Sequence, residues 1–343
     1  MSNFINTVDI VCGLSWGDEA KGKIVAQLAK SKYYDYVCRW AGGNNAGHTI
    51  YINGKKYKTH LIPSGVFFGI KSIIGPDCVV NIDSFFDEVN YLKDLGFNTD
   101  LIKISPKAHI ITNSHIEEDL KKYHNSQGTT AKGIAPCYKD KYARTGKRVS
   151  DCEILKSFIW DESLSGNILC EGAQGFWLDI NYGNYPYITS SNTLPYSACS
   201  LGFSPKLIGN IYGACKIYDT RSGNDPEFPE SLFEDPQLEL LCNEGKEFGT
   251  TTGRKRKVNW LNMNKLQRAI DISGTTHVII SKTDILEKIN IFKLISPNNN
   301  IIEFNNLKEM INYIEDFLFK NCRLLVNILY SNNVEFIENM TYE

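Results

Sequence analysis

Hydrophobic positions fall along the chain in short continuous runs, separated by stretches in which they recur at helical spacing. Thr7 to Leu14 (TVDIVCGL) is a nearly continuous apolar run of strand length, the pattern of a strand buried on both faces. From Lys21 to Lys30 the apolar residues Ile24, Val25, Leu28 and Ala29 share one helical stripe, so the opening predicts strand, loop, helix. The same reasoning predicts strands at Tyr36–Arg39, Ser72–Ile74, Leu101–Ile104, Ile168–Cys170, Leu207–Tyr212 and His277–Ile280. Helices are predicted at Phe85–Leu95, Trp260–Ile272 and Leu307–Phe319. Strands alternating with helices imply an α/β fold with a mostly parallel central sheet flanked by helices. No repeat, low-complexity tract or Pro/Ser-rich linker interrupts the pattern, so residues 1–343 are expected to form a single domain. The polar, basic, Gly-containing stretch from Ser126 to Arg148 is too long for a simple connection and predicts a long functional loop.

Composition narrows the class. The 343 residues are 42% hydrophobic with a formal net charge of -2, which excludes a general nucleic-acid or membrane-surface binder. Any phosphate chemistry must come from local placement of Lys and Arg. Ten cysteines are scattered without CxxC or Cys/His metal spacing and sit mostly in apolar runs, so reduced, buried thiols are expected. The N-terminal MSNFINTVDIVCGL lacks the features of a secretory signal, and no apolar run approaches the ~20 residues of a bilayer span. The expectation is a cytoplasmic protein with no membrane contact.

Six segments carry candidate chemistry. GLSWGDEAKGK (Gly13–Lys23) joins the first strand to the first helix, where glycines and free helix N–H groups suit an oxyanion and Lys21 and Lys23 add charge. No Ser or Thr follows the lysine, so it is not a GxxxxGK[ST] loop. Asp18 would repel a phosphate unless a cation or a proton transfer needs it; a solvated acidic helix cap is the alternative. AGGNNAGHTI (Ala41–Ile50) places Asn44, Asn45 and His48 in a Gly-rich turn after the second strand, where His48 can transfer protons near neutral pH or be a surface histidine. QGTTAKGIAPCYKDKYARTGKR (Gln127–Arg148) offers Thr129 and Thr130 hydroxyls with Lys132, Lys141, Arg144 and Arg148, either for phosphate recognition or as a solvated basic loop. In EGAQGFWLDINYGNYPYITSSNT (Glu171–Thr193), Gln174 can read a donor and an acceptor on a base edge, beside Thr189, Ser190, Ser191 and Asn192; an ordinary hairpin is the alternative. EFGTTTGRKRKVNWLN (Glu247–Asn262) sets three threonines before Arg254 and Arg256, a pattern suited to capturing a dicarboxylate; a basic surface loop is the alternative. SKTDIL (Ser281–Leu286) puts Lys282-x-Asp284 after an apolar strand, a means of reading guanine.

Together and in this order, these segments and HLIPSG (His60–Gly65) resemble the adenylosuccinate synthetase family, over Gly17 to Asp284. The resemblance implies a P-loop-NTPase-like α/β fold with long functional loops. It implies GTP-dependent ligation of L-aspartate to C6 of IMP through a 6-phosphoryl intermediate, giving adenylosuccinate, GDP and phosphate for purine biosynthesis. Asp18 matches the residue that takes the N1 proton and ligates Mg2+, with Gly47 as a second metal ligand. His48 matches the general acid, and Lys21 the lysine beside the transferring phosphoryl group. Gly17, Gly22 and Lys23 belong to the nucleotide loop, and Asn45, Thr130, Gln174, Thr189 and Arg254 match IMP contacts. Arg144 matches an arginine reaching the neighbouring subunit's IMP, which implies a homodimer. Thr252, Arg254 and Arg256 match the aspartate loop, and Lys282 and Asp284 the guanine-reading pair. SNNVEF (Ser331–Phe336) is the candidate for the family's C-terminal guanine contact. Ala20 and Ala135 stand where the family has Gly, and only 29 residues separate Arg144 from Gln174, as in the compact archaeal and viral form. A viral relative acting on dGMP, and a GTP-binding protein without catalysis, are the competing expectations.

Overall fold

The computed structural model describes residues 4–249, 253–335, 337 and 340. The chain runs through β1 (Ile5–Gly13), α1 (Lys21–Lys30), β2 (Tyr36–Gly42), a hairpin of β3 (His48–Ile52) and β4 (Lys55–Thr59), β5 (Lys71–Asn81) and α2 (Ile82–Asp94). Short strands β6 (Ile102–Ile104) and β7 (His109–Ile111) lead to α3 (Asn113–Lys122), α4 (His124–Gln127) and α5 (Ile134–Ala143). The middle of the chain supplies β8 (Gly166–Glu171), β9 (Ile208–Lys216), β10 (Tyr218–Arg221), α6 (Pro236–Glu244), β11 (Lys257–Asn262) and α7 (Met263–Ser273). The C-terminal part adds β12 (His277–Ser281), α8 (Thr283–Ile289), β13 (Lys293–Ile295), β14 (Ile301–Glu303), α9 (Leu307–Asn321) and β15 (Asn327–Ser331).

Among the described residues, nine strands form one sheet in the order β15-β12-β9-β1-β8-β2-β5-β6, with β7 continuing on the far half of β5. Every neighbouring pair in it is parallel. A parallel sheet covered on both faces needs apolar side chains on both, which is why β2 is buried throughout and β1 is buried from Val8 to Gly13. Parallel pairing also sends all the strand C-termini to one edge. Lys216, Ser281 and Ser331, the last residues of β9, β12 and β15, therefore open on the same cleft as the loops after β1 and β2. The α/β architecture expected from the alternation is the one observed. A smaller mixed sheet (β10-β11-β13-β14) and the β3–β4 hairpin stand outside it.

Two predicted elements change. Residues Trp260–Asn262 close strand β11 instead of opening a helix, because Trp260 pairs with Tyr218 and the Asn262 side chain caps α7 by accepting from Lys265 N–H at 3.0 Å. The supposed loop Ser126–Arg148 contains α5, whose buried side chains, Ile134, Pro136, Cys137 and Tyr138, crowd its first half and leave no clear helical stripe to read. All ten cysteines are free, and nine of them are buried.

Candidate active site

One cleft of about 650 Å³ lies at the C-terminal edge of the sheet. It gathers most of the residues singled out from the sequence: Gly17, Asp18, Lys21, Gly22 and Lys23; Asn45, Gly47 and His48; Thr130; Gln174 and Thr189; Arg256; and Lys282 with Asp284. Two of the described ones are not brought there. Arg144 ends α5 in a left-handed conformation (φ 64°), is exposed, and does not line its own cleft. Arg254 lines a neighbouring hollow with His124, Lys255 and Lys257. Thr252 lies outside the described residues.

The loop between β1 and α1 is shaped from within. Gly17, Asp18 and Ala20 all have positive φ (91°, 60° and 68°). The buried Glu19 carboxylate holds that path, accepting from Gly17 N–H at 2.8 Å, from Ser15 N–H at 3.2 Å and from the Lys21 ammonium at 2.6 Å. A Cβ on Gly175 would fall 2.4 Å from the same carboxylate, so glycine there lets the β8 loop close over Glu19. On the helix side, a Cβ on Gly22 would come within 3.0 Å of His48 Cβ; glycine is what allows α1 and β3 to approach.

His48 is buried with its Nδ1 hydrogen-bonded to Glu171, the last residue of β8. Burial holds His48 below its ordinary pKa. Burial also works against charge on Glu171, yet His48, Arg39 and the Ser64 N–H together keep it below the usual carboxylate range. Ser64 donates to it twice, through N–H at 2.7 Å and Oγ at 2.8 Å, which explains the place of HLIPSG beside the site. With Nδ1–H turned to an ionised carboxylate, Nε2 is the free position of the ring.

A second polar cluster lies where α1 meets the ends of β12 and β15. The Lys23 ammonium donates to Ser331 Oγ at 2.6 Å and to the Asn333 carbonyl at 2.9 Å. Burial pushes Lys23 down to about 8, Lys282 adding to the shift and Asp284 opposing it. Lys282 donates to the Gly245 carbonyl at 2.9 Å. Ser331 and Asn333 are thus beside the Lys-x-Asp pair; Phe336 of the same segment lies outside the described residues.

Between these clusters, Gln174 sits at positive φ (55°) with its Nε2 3.4 Å from Asn45 Oδ1 and its own Oε1 buried without a partner. A buried acceptor left unpaired is costly, and in a cleft it points to a ligand donor. The loop carrying Thr130 is anchored by Asp119, which is 1% exposed and accepts from Thr129 Oγ1 at 2.6 Å and from Gly133 N–H at 2.8 Å. Arg256 bridges two carboxylates, Asp18 Oδ2 at 2.7 Å and Glu247 Oε2 at 2.6 Å. Its position in the sequence suggested only dicarboxylate capture.

Sequence reasoning missed Glu19, Asp119, Glu171 and Glu247. Glu171 carried a signal, an acid closing an apolar strand and opening a Gly-rich loop, and Glu19 lay inside a segment already singled out. Glu247 likewise opened a segment already singled out; Asp119 carried none, since it acts through contacts made by the fold.

The adenylosuccinate synthetase family model matches residues 10–161 and 152–303. Adenylosuccinate synthetase of Lysinibacillus sphaericus (strain C3-41) is 36% identical over 349 residues, covering 84% of this chain and 80% of the relative. That of Helicobacter pylori (strain Shi470) is 38% identical over 339 residues, covering 83% and 81%. Among solved structures, fully ligated adenylosuccinate synthetase from Plasmodium falciparum superposes with a TM-score of 0.83 at 27% identity, over 96% of this chain and 98% of that one. The cyanophage S-2L succinoaminodeoxyadenylate synthetase bound to dGMP and dATP shares the fold at a TM-score of 0.67 and 18% identity, over 91% and 99%. With relatives above one-third identity across four-fifths of both chains and seven ordered segments meeting in or beside one cleft, the chain belongs to the adenylosuccinate synthetase family.

Proposed function

We propose that the cleft carries out GTP-dependent ligation of L-aspartate to C6 of IMP, giving adenylosuccinate, GDP and phosphate. The observation that carries this reading is one cavity lined by an acid (Asp18), a lysine (Lys21), a carboxylate-backed histidine (His48), a base-edge amide (Gln174) and a Lys-x-Asp pair. Those are the groups needed to hold two purines and move a phosphoryl group between them.

Asp18 takes the N1 proton of the acceptor, which leaves the negative charge on O6. O6 attacks the γ-phosphorus and the bond to the β-phosphate oxygen breaks. His48 Nε2 stands to supply a proton to that leaving oxygen. Burial holds its pKa down, and the negative charge of bound phosphates opposes that shift, so the imidazolium forms where it is used. The aspartate amine then adds at C6 and the O6-phosphate leaves. Lys21, released from Glu19, offsets charge on the transferring group.

The residues fit a hard divalent cation. The Asp18 carboxylate already holds a cationic partner, the Arg256 guanidinium, and the candidate donors Asp18 and the Gly47 carbonyl are oxygens. Among the described residues no cluster of three or more His, Cys, Asp or Glu suited to a metal occurs, so Asp18 and the Gly47 carbonyl are the residues that would hold the ion. Bound there, Mg2+ supplies charge neutralisation at the β- and γ-phosphates.

Lys282 and Asp284 select guanine in the donor, aided by Ser331 and Asn333. Arg256 holds L-aspartate from within the cleft, joined by Thr252 and, from the neighbouring hollow, by Arg254. Arg144, which does not line its own cleft and stands beside the exposed Tyr142, supports a homodimer in which each Arg144 serves the partner's nucleotide. No described helix is long and apolar enough to cross a membrane. The proposed enzyme is cytoplasmic, each subunit a single domain.

The test is product analysis. Purified protein with GTP, Mg2+ and L-aspartate is offered IMP or dGMP, and products are read by mass spectrometry. Adenylosuccinate from IMP is expected. Product from dGMP alone would replace the acceptor, and no product from either would reduce the protein to a nucleotide-binding module.

A further inference from the structure

Arg256 and Glu247 form a link that the reaction scheme does not use. Glu247 is 1% exposed and carries three donors: Lys216 Nζ at 2.8 Å, Tyr218 OH at 2.8 Å and Arg256 Nη1 at 2.6 Å. Although burial opposes its charge, Lys216 and Arg256 hold the Glu247 carboxyl down at about 2. It is a permanent anion at the foot of the cleft. The other arm of the same guanidinium, Nη2, reaches Asp18 Oδ2 at 2.7 Å. Asp18 is 37% exposed at its side chain, whereas Arg256 is 8% exposed. The arginine is therefore the fixed member of the pair and Asp18 the accessible one. Two carboxylates compete for one cation, and Lys216 at 2.8 Å from Glu247 weakens that side of the competition.

We infer that Arg256 is a positioning residue which keeps the place of the divalent cation on Asp18, and that Glu247 is the anchor which draws it away when the metal arrives. This rests on the proposed role of Asp18 as a metal ligand. A guanidinium and a metal ion on one carboxylate repel each other, so metal binding at Asp18 weakens the Arg256 contact and favours its release. The displaced arm stays charged and tethered by Glu247, in the cleft where the dicarboxylate substrate is captured. Metal entry and the freeing of an arginine for L-aspartate become one event.

The inference makes two substitutions move one binding constant in opposite directions. Arg256→Met removes the competing cation, so the metal binds more tightly, by about fivefold for a partly exposed pair. Glu247→Gln removes the anchor, so Arg256 stays on Asp18 and the metal binds more weakly, by a similar factor. Mn2+, an oxygen-seeking stand-in for Mg2+, is titrated into the protein saturated with GDP. Free Mn2+ is read by electron paramagnetic resonance and corrected with a protein-free titration. Arg256→Lys, which keeps a charge but cannot bridge two carboxylates, is expected between wild type and Arg256→Met; it and Arg256→Met suffice if Glu247→Gln does not fold. Unchanged or weaker Mn2+ binding in Arg256→Met, or equal shifts in both variants, would overturn the inference. General loosening of the site cannot tighten metal binding. Opposed shifts in a protein that makes no adenylosuccinate would leave the inference standing and remove the proposed reaction.

Discussion

Asp219 is a buried acid whose charge is a liability at neutral pH. It lies on β10, is 4% exposed, and accepts one hydrogen bond, from Asn262 N–H at 3.0 Å. Burial pushes its carboxyl from 3.8 up to about 7; the Asn262 N–H, Lys265 and Lys216 oppose the shift, and Glu19 adds to it. Between those two values the folded chain binds a proton that the unfolded chain has lost, so stability falls as pH rises through that window. A carboxyl ionising near 3.8 unfolded and about 7 folded costs the native state about 4 kcal/mol once pH exceeds 7. Asp219→Asn keeps a carbonyl for Asn262 N–H and removes the titration. Its amide donors need partners, which costs about 1 kcal/mol. The variant should therefore equal or trail wild type near pH 4, gain on it steadily, and lead by about 3 kcal/mol at pH 8. Urea unfolding midpoints of both proteins, taken every half pH unit from 4 to 8, measure the difference directly and cancel contributions from other groups. A difference that stays flat with pH, or that falls as pH rises, would refute the reasoning.

Other substitutions probe the site. Ala20, exposed and held at φ 68°, strains a left-handed position that costs a side chain ~1–2 kcal/mol, so Ala20→Gly should stabilise the protein by about 1 kcal/mol net of the added chain entropy, visible as a rise of about 2 °C in Tm. An unchanged or lower Tm would mean that the loop relaxes around Ala20. Asp119→Asn deprives either Thr129 Oγ1 or Gly133 N–H of its acceptor, and KM for IMP should rise about tenfold with kcat nearly unchanged. A fall confined to kcat would take Asp119 out of nucleotide positioning. Asp284→Asn removes the carboxylate that would accept from guanine, and the ratio of kcat/KM for GTP over ATP should drop about 100-fold; a retained preference would move guanine recognition to the Ser331–Asn333 segment.

Much of this protein was legible in its residues. The buried run Thr7–Leu14 and the stripe Ile24–Ala29 are local patterns, and they became β1 and α1 because period and burial are properties of neighbours in sequence. The chemistry-bearing segments were legible for a related reason: four of the six follow strands β1, β2, β8 and β12, and parallel pairing brings those turns to one edge, whereas the Gln127 and Glu247 segments follow helices. What lay outside local pattern was decided by the tertiary structure. α5 was hidden because its buried side chains form no clear stripe, and the end of β11, Trp260–Asn262, was read as the start of α7 because a short apolar run suits either state. His48 finds Glu171 across 123 positions, Lys23 finds Ser331 across 308, and Asp18 shares Arg256 with Glu247. Such pairs form because charges taken out of water require partners, and which partner is nearest depends on how the strands are ordered. Sequence determined the groups available to the cleft; strand order and burial decided which of them hold one another, and so which remain free for substrate.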